Sequence, residues 1–156
     1  MSTVDVFSDS RVYIHARFLT CVSSAQHSYM AATGLPNPQP DHAVRMVKFA
    51  RDCVVKMTGL LEELEVSLGD DTTDLAMRVG MHSGGVTGGV LRGEKGRFQL
   101  FGDTVNTASR MESNGMKGKL HCSQTTADAL ISAGKTQWLT SREDKITAKG
   151  KGEMQT

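Results

Sequence analysis

At 156 residues, with 38% hydrophobic and 22% charged residues, the chain is sized for one domain and can pack a core. A net charge of +1 argues against a nucleic-acid surface built on bulk positive charge, and no apolar run approaches the roughly 18 residues of a membrane span. Met1 to Ser10 lacks the basic stretch of a signal peptide, and Cys21, Cys53 and Cys122 lie too far apart for a disulfide framework or a zinc site, which points to a reducing intracellular setting.

In chain order, the first 27 residues mix β-branched and polar side chains without a sustained period, and the one strand expected there is Val12 to Leu19. SYMAATGLP reads as a short strand closed by a Gly turn. Pro36, Pro38 and Pro40 then alternate, which stiffens an extended loop and forbids helix within it. Asp41 is placed to cap the next element. Val44, Val47, Ala50, Val54, Met57, Leu61, Leu64 and Leu68 recur at steps of three and four, which predicts one long helix over 41–68 with Gly69 as its stop. At 1.5 Å per residue it is roughly 40 Å long, with Gly59 a weak point inside it.

LAMRVGMHSGG alternates apolar Leu75, Met77, Val79 and Met81, the pattern of a half-buried strand. GVTGGVL and RFQLFG read as two further strands around the turn-rich LRGEKG. Asp103 begins a helical pattern, TVNTASRMES, closed by Asn114-Gly115. KLHCS is a short strand, and Ser123 is placed to cap the helix TTADALISAG. TQWLTS is a candidate strand, and KITAKGKGEMQT reads as two strands joined by a Gly-Lys turn. Strands alternate with helices, so the class is α/β or α+β, with one layer of helices on a mixed sheet.

The chemistry concentrates in FQLFGDTVNTASRMES, residues 98–113. Asp103 at the helix start suits the N-terminal dipole and can accept from free N–H groups. Asn106 and Arg110 are one turn apart on one face. An amide and a guanidinium so placed can grip an anion or a sugar oxygen together. The same pair also serves as an ordinary solvated helix face. The Gly-rich run 84–89 lacks the Gly-Lys-Ser/Thr of a phosphate loop and reads better as a tight strand pair.

LFGDTVNTASRMES closely resembles the signature of class III adenylate and guanylate cyclases. HSGGVTGGV is similar to a strand pair of that family, DHAVRMVKFARDC to its long helix, SYMAATGLP to the strand after its metal motif, and KGKGEM to its C-terminal phosphate loop. The blocks run in family order from about Ser28 to Glu153. The resemblance implies an α+β fold, a cyclase-type mixed sheet with helices packed on it and a ferredoxin-like core, here incomplete at both ends. Residues 28–156 are expected to form a partial catalytic domain, and residues 1–27 a divergent segment.

In relatives, the ribose 3′-hydroxyl attacks the α-phosphate and pyrophosphate leaves, with Mg²⁺ or Mn²⁺ ions held by two aspartates. The resemblance places the ribose-orienting Asn at Asn106, the transition-state Arg at Arg110 and the phosphate Lys at Lys149, with Lys151 as the alternative. Gln99 takes a base-reading position, where an amide can face either purine. Asp103 joins the nucleotide-binding candidates.

Three positions depart from the family. The motif before SYM reads CVSSAQH, so His27 stands where the second metal aspartate belongs and Ser23 where a charged base-reading residue belongs. Imidazole is a poor ligand for Mg²⁺, though it binds Mn²⁺ or Zn²⁺. Phe7-Ser8-Asp9 echoes the first metal segment without its Gly-Phe turn, and Asp9 lies only 18 residues before His27. The metal half of the site is therefore expected to be weak, with Asp9 and His27 its only candidates.

The expected partners are ATP or GTP, guanylate slightly favoured, and a second cyclase domain in a homodimer or heterodimer. No nucleic acid or membrane segment is expected, and the setting is cytoplasmic signalling, as a fragment of a larger soluble or membrane-linked cyclase. Alone, the chain is expected to be nearly inactive and marginally stable. The competing reading is an inactive cyclase-like module that binds nucleotide or a partner.

Overall fold

The computed structural model describes residues 11–19, 27–35, 37–69, 76–91, 97–148, 152–154 and 156. The elements are β1 (Arg11–Leu19), β2 (His27–Ala32), α1 (His42–Leu68), β3 (Ala76–Gly84), β4 (Thr87–Leu91), β5 (Arg97–Phe101), α2 (Asp103–Ser113), β6 (Leu120–Cys122), α3 (Gln124–Ser132), β7 (Ile146–Ala148) and β8 (Gly152–Met154).

Four strands form the main sheet in the order β2-β1-β3-β6. β1 lies between β2 and β3 and is antiparallel to both, while β3 and β6 are parallel. β4–β5 and β7–β8 are separate antiparallel hairpins. The parallel pair β3 and β6 requires a long crossover, and β4, β5 and α2 supply it.

The alternation along β3 divides the core between the two faces of the sheet. Met77, Val79 and Met81 meet Ala43, Met46 and Ala50 of α1 and Leu130 of α3. Met46 is fully buried, and truncating such a side chain to Ala costs about 2–5 kcal/mol. Gly80 faces the other way, and its backbone lies directly against α2. A smaller cluster forms on that second side, where Val86 meets Ala108, with Ala32, Leu100 and Val105 around them. Helices thus cover both faces of the sheet, correcting the single layer expected from sequence. The second layer is hard to read because α2 is held by glycine, threonine and charged residues more than by an apolar stripe.

Further corrections are local. Asp41 and Ser123 occupy the N-cap positions of α1 and α3, but neither side chain makes a capping bond. The Asp41 carboxylate accepts instead from Arg45 Nε at 2.7 Å. The Ser123 hydroxyl shares a 2.7 Å hydrogen bond with Nδ1 of buried His82. The N-cap of α2 is Gly102, at φ 127°, and Asp103 is the first helical residue. The candidate strand TQWLTS is a 3₁₀ turn, Thr136–Trp138. Its backbone closes on itself, Trp138 N–H to Lys135 O and Leu139 N–H to Thr136 O, which takes groups a sheet ladder would need. The Lys135 ammonium lies 5.3 Å from the centre of the Trp138 ring.

Cys53 and Cys122 carry free thiols, and burial pushes the Cys122 thiol up to about 11, so it stays protonated at neutral pH. Among the described residues no helix is long and apolar enough to cross a membrane.

His121 on β6 ties three segments together. Its Nδ1–H donates to Met111 O at the end of α2 (2.7 Å), and Nε2 shares a 2.8 Å bond with the Thr156 hydroxyl. Burial holds its pKa below the ordinary 6.5, reinforced by nearby Arg142 and opposed by the bond to Met111. A lowered folded value means that the unfolded chain binds the proton more readily. Stability from this group is complete above pH 6.5 and is lost as pH falls below it toward the folded value. The thermal midpoint should fall on acidification from pH 7.5 to 5.5, and His121→Gln should flatten that fall. An unchanged pH slope in His121→Gln would show that another group carries it.

Candidate functional site

The site candidates are organised by α2, and the sequence leading into it explains its position. β5 ends at Phe101, and Gly102 makes the turn at a φ that side-chain-bearing residues rarely adopt. The helix then runs with Thr104, Thr107, Ala108, Met111 and Glu112 buried. These positions recur at steps of three and four, so they form one inner face.

Three contacts lock that face to the sheet. Thr104 Oγ1 donates to Gly85 O at 2.5 Å, holding the head of the helix at the end of β3. Gly80 lets the two backbones meet, since a Cβ there would fall 2.5 Å from Ala108 O and overlap the backbone of Glu112. Arg78 Nε donates to Glu112 Oε1 at 3.0 Å, an ion pair in which the Glu112 side chain is 2% exposed. Gly80→Ala should destabilise the chain by about 1–3 kcal/mol, because backbone cannot swing aside as a side chain can. Urea melts would check this, and a wild-type midpoint would mean that α2 does not lie so close.

With the inner face locked, the outer face follows from the helical period. Asp103 and Asn106 are exposed and Arg110 is half-buried, with Arg110 one turn beyond Asn106, about 6 Å along the axis. The C-terminal end is fastened too. Asn114 Nδ2 donates to Arg110 O at 2.8 Å, and Arg142 Nη1 donates to Asn114 O at 2.7 Å. Gln99 is exposed on β5, opposite Gly89 in the hairpin register, four residues before Asp103. The outer face of α2 thus carries a carboxylate, an amide and a guanidinium on a rigid support. It suits a ligand with sugar hydroxyls and phosphate.

The remaining candidates are not gathered here. Asp9, Ser23, Lys149 and Lys151 lie outside the described residues, as does the side chain of His27. The backbone of His27 is opposite Phe18, and Phe18 is opposite Met77, at the start of β3. The head of α2 is held at Gly84 and Gly85, at the other end of that strand. The seven steps from Met77 to Gly84 span roughly 23 Å. Within one chain, His27 and Asn106 therefore belong to opposite ends of the sheet.

The donor set does not fit an oxygen-preferring metal ion. The resemblance sets an imidazole, His27, where the family has a metal-binding carboxylate, and Mg²⁺ prefers oxygen ligands. Among the described residues no three His, Cys, Asp or Glu side chains come together as a metal site.

Sequence reasoning missed the supports. These are the Arg78–Glu112 pair and a buried cluster in which Ser83 and Thr126 share a 3.0 Å bond beside His82 and Ser123. A signal for the first existed: Gly80 and Gly84 lie four apart on one face of a strand, a spacing that suits close approach of another backbone.

The family model for the adenylate and guanylate cyclase catalytic domain matches residues 4–156. The chain belongs to this family. It is 38% identical over 135 residues to receptor-type guanylate cyclase gcy-28 of Caenorhabditis elegans, covering 86% of this chain and 10% of that protein. It is 54% identical over 82 residues to human atrial natriuretic peptide receptor 2, covering 53% of this chain and 8% of the receptor. It therefore spans only a small part of the length of these relatives. Among solved structures, the guanylate cyclase domain of RhGC from Catenaria anguillulae, in complex with GTP, superposes with a TM-score of 0.72 at 26% identity. That superposition covers 97% of this chain and 96% of the other. The α+β cyclase fold expected from the sequence is the fold found.

Proposed function

We propose that this chain supplies the ribose- and phosphate-handling half of a nucleotide cyclase site that a second cyclase domain completes. The observation that carries the reading is the outer face of α2, where Asp103, Asn106 and Arg110 stand on a helix whose inner face is locked to the sheet. The reaction is closure of GTP or ATP to the cyclic nucleotide. The 3′-oxygen forms a bond to the α-phosphorus, the bond to the β-phosphate bridging oxygen breaks, and pyrophosphate and the hydroxyl proton leave.

In this reading the Asn106 amide orients the ribose. The Arg110 guanidinium meets the charge that grows on the α-phosphate oxygens, a role that needs a fixed, permanently charged donor. Gln99 faces the base, Asp103 lines the approach, and Lys149 or Lys151 meets the terminal phosphates. The divalent ions that cyclases of this family generally use would be held by carboxylates of the partner domain. Guanylate cyclases among the relatives and the GTP-bound RhGC domain favour GTP as substrate. The half-site falls within residues 28–156. The chain acts as one module of a longer signalling protein.

The test is a cyclase assay in Mn²⁺ on GTP and ATP separately. The chain is assayed alone, and then mixed with an intact related domain whose own Asn–Arg pair has been replaced. Product in the mixture and none from either component alone is the expected result. A robust rate from the chain alone would overturn the half-site assignment. No product in the mixture, with the chain folded and binding nucleotide, would favour the reading as a non-catalytic binding module. His27, where the resemblance expects a metal-binding aspartate, supports this second reading.

A further inference from the structure

The β7–β8 hairpin is a two-stranded sheet of its own, apart from the four-stranded one. A lone hairpin is marginally stable in water, so this one needs support beyond its own ladder. Ile146, 5% exposed, is an apolar foothold. A second anchor lies where the two strands enter and leave. Arg142 stands four residues before Ile146, and Thr156 two residues after Met154. The Arg142 N–H donates to Thr156 O at 2.9 Å, which joins the two ends of the hairpin.

From these ends a closed circuit of hydrogen bonds runs to α2. Arg142 Nη1 donates to Asn114 O at 2.7 Å, and Asn114 Nδ2 donates to Arg110 O at 2.8 Å. On the other side the Thr156 hydroxyl meets His121 Nε2 at 2.8 Å, and His121 Nδ1 donates to Met111 O at 2.7 Å. Arg110 and Met111 are consecutive, so the circuit closes on the last turn of α2. Arg142 is the link that uses both its backbone and its side chain. Its guanidinium also comes within 4.0 Å of the exposed Asp144 carboxylate. That solvated pair contributes little and does not explain the reach to Asn114.

We propose that Arg142 is a positioning residue, which holds the β7–β8 hairpin in one place against the last turn of α2, the turn that carries Arg110. Its consequence for chemistry rests on the half-site reading above. Residues 149–151, which join the two strands, include Lys149 and Lys151. Their charges and the Arg110 guanidinium serve one nucleotide only if hairpin and helix keep a fixed spacing.

Amide hydrogen exchange of the chain, read by NMR, tests the clamp without any need for turnover. Arg142→Met keeps an unbranched stem and removes the donor. Exchange at β7 and β8 should then rise about tenfold, while residues 104–108 of α2 keep their wild-type rates. Unchanged exchange in the hairpin would overturn the proposal. So would a rise spread evenly over the whole chain, which is what a merely structural arginine predicts. In the complementing mixture, Arg142→Met should raise KM for GTP about tenfold and leave kcat within a few-fold, because the terminal phosphates are bound alike in ground and transition states. With Lys149→Ala and Lys151→Ala already present, Arg142→Met should add almost nothing, since the residues it positions are gone. Arg142→Lys should recover most of both losses, because Asn114 O needs a single donor and an ammonium supplies one. Additive losses in that cycle rule the positioning role out. No product from the wild-type mixture defeats the half-site reading instead, and hydrogen exchange then decides the clamp alone.

Discussion

Arg110→Ala, assayed in the complementing mixture, is expected to lower cyclic nucleotide formation by about a hundredfold or more, the usual effect of removing one preorganised donor from a developing oxyanion. The loss should appear in kcat more than in KM, because the guanidinium meets charge that is fully present only in the transition state. Arg110→Lys should recover little, since an ammonium cannot reproduce the planar fork of donors. Asn106→Ala should also lower the rate strongly, by releasing the ribose from its attacking orientation. Neither substitution should unfold the chain, because Asn106 is exposed and Arg110 is only half-buried on the outer face. Turnover within a few-fold of wild type in Arg110→Ala, with a normal melt, would remove this helix from the reaction.

The largest effect on stability is expected from Glu112→Ala. Glu112 is 1% exposed and pairs with Arg78 across the interface between α2 and β3. Taking away one partner leaves the guanidinium against a nearly dry interface, which costs about 3–5 kcal/mol. That is a large share of the roughly 5–15 kcal/mol that holds a domain of this size together. The double change Arg78→Met with Glu112→Leu should recover much of the loss, because no charge is then stranded. Denaturant melts of both variants decide the matter. A single variant with an unshifted midpoint would show that the pair contributes nothing. The same substitution should weaken complementation as temperature rises, since Asn106 and Arg110 depend on the helix that Glu112 anchors.

The strands and helices with a clean hydrophobic period were legible from residues alone. α1 ends at Leu68, where its apolar repeat ends, and β3 has its inward side chains at Met77, Val79 and Met81 as the alternation requires. The turn at Thr136–Trp138 was not legible, because its residues suit a strand and only the backbone contacts with Lys135 and Thr136 close it into a 3₁₀ turn. Capping was legible as position but not as bonding. Ser123 sits where a cap should sit, yet its hydroxyl is shared with His82, a residue 41 positions away that no local rule could bring to it.

The sequence by itself determined the candidate chemistry. The spacing of Asn106 and Arg110 puts them on one helical face, and the signature around them marks the family, because both are properties of a contiguous segment. Only the tertiary structure decided which face of that helix points outward. Gly80, Arg78 and Thr104 bury the other one, through contacts between segments far apart in the chain. It also decided that His27 lies at the opposite end of the sheet from Asn106, because strand register is set by pairing between distant segments.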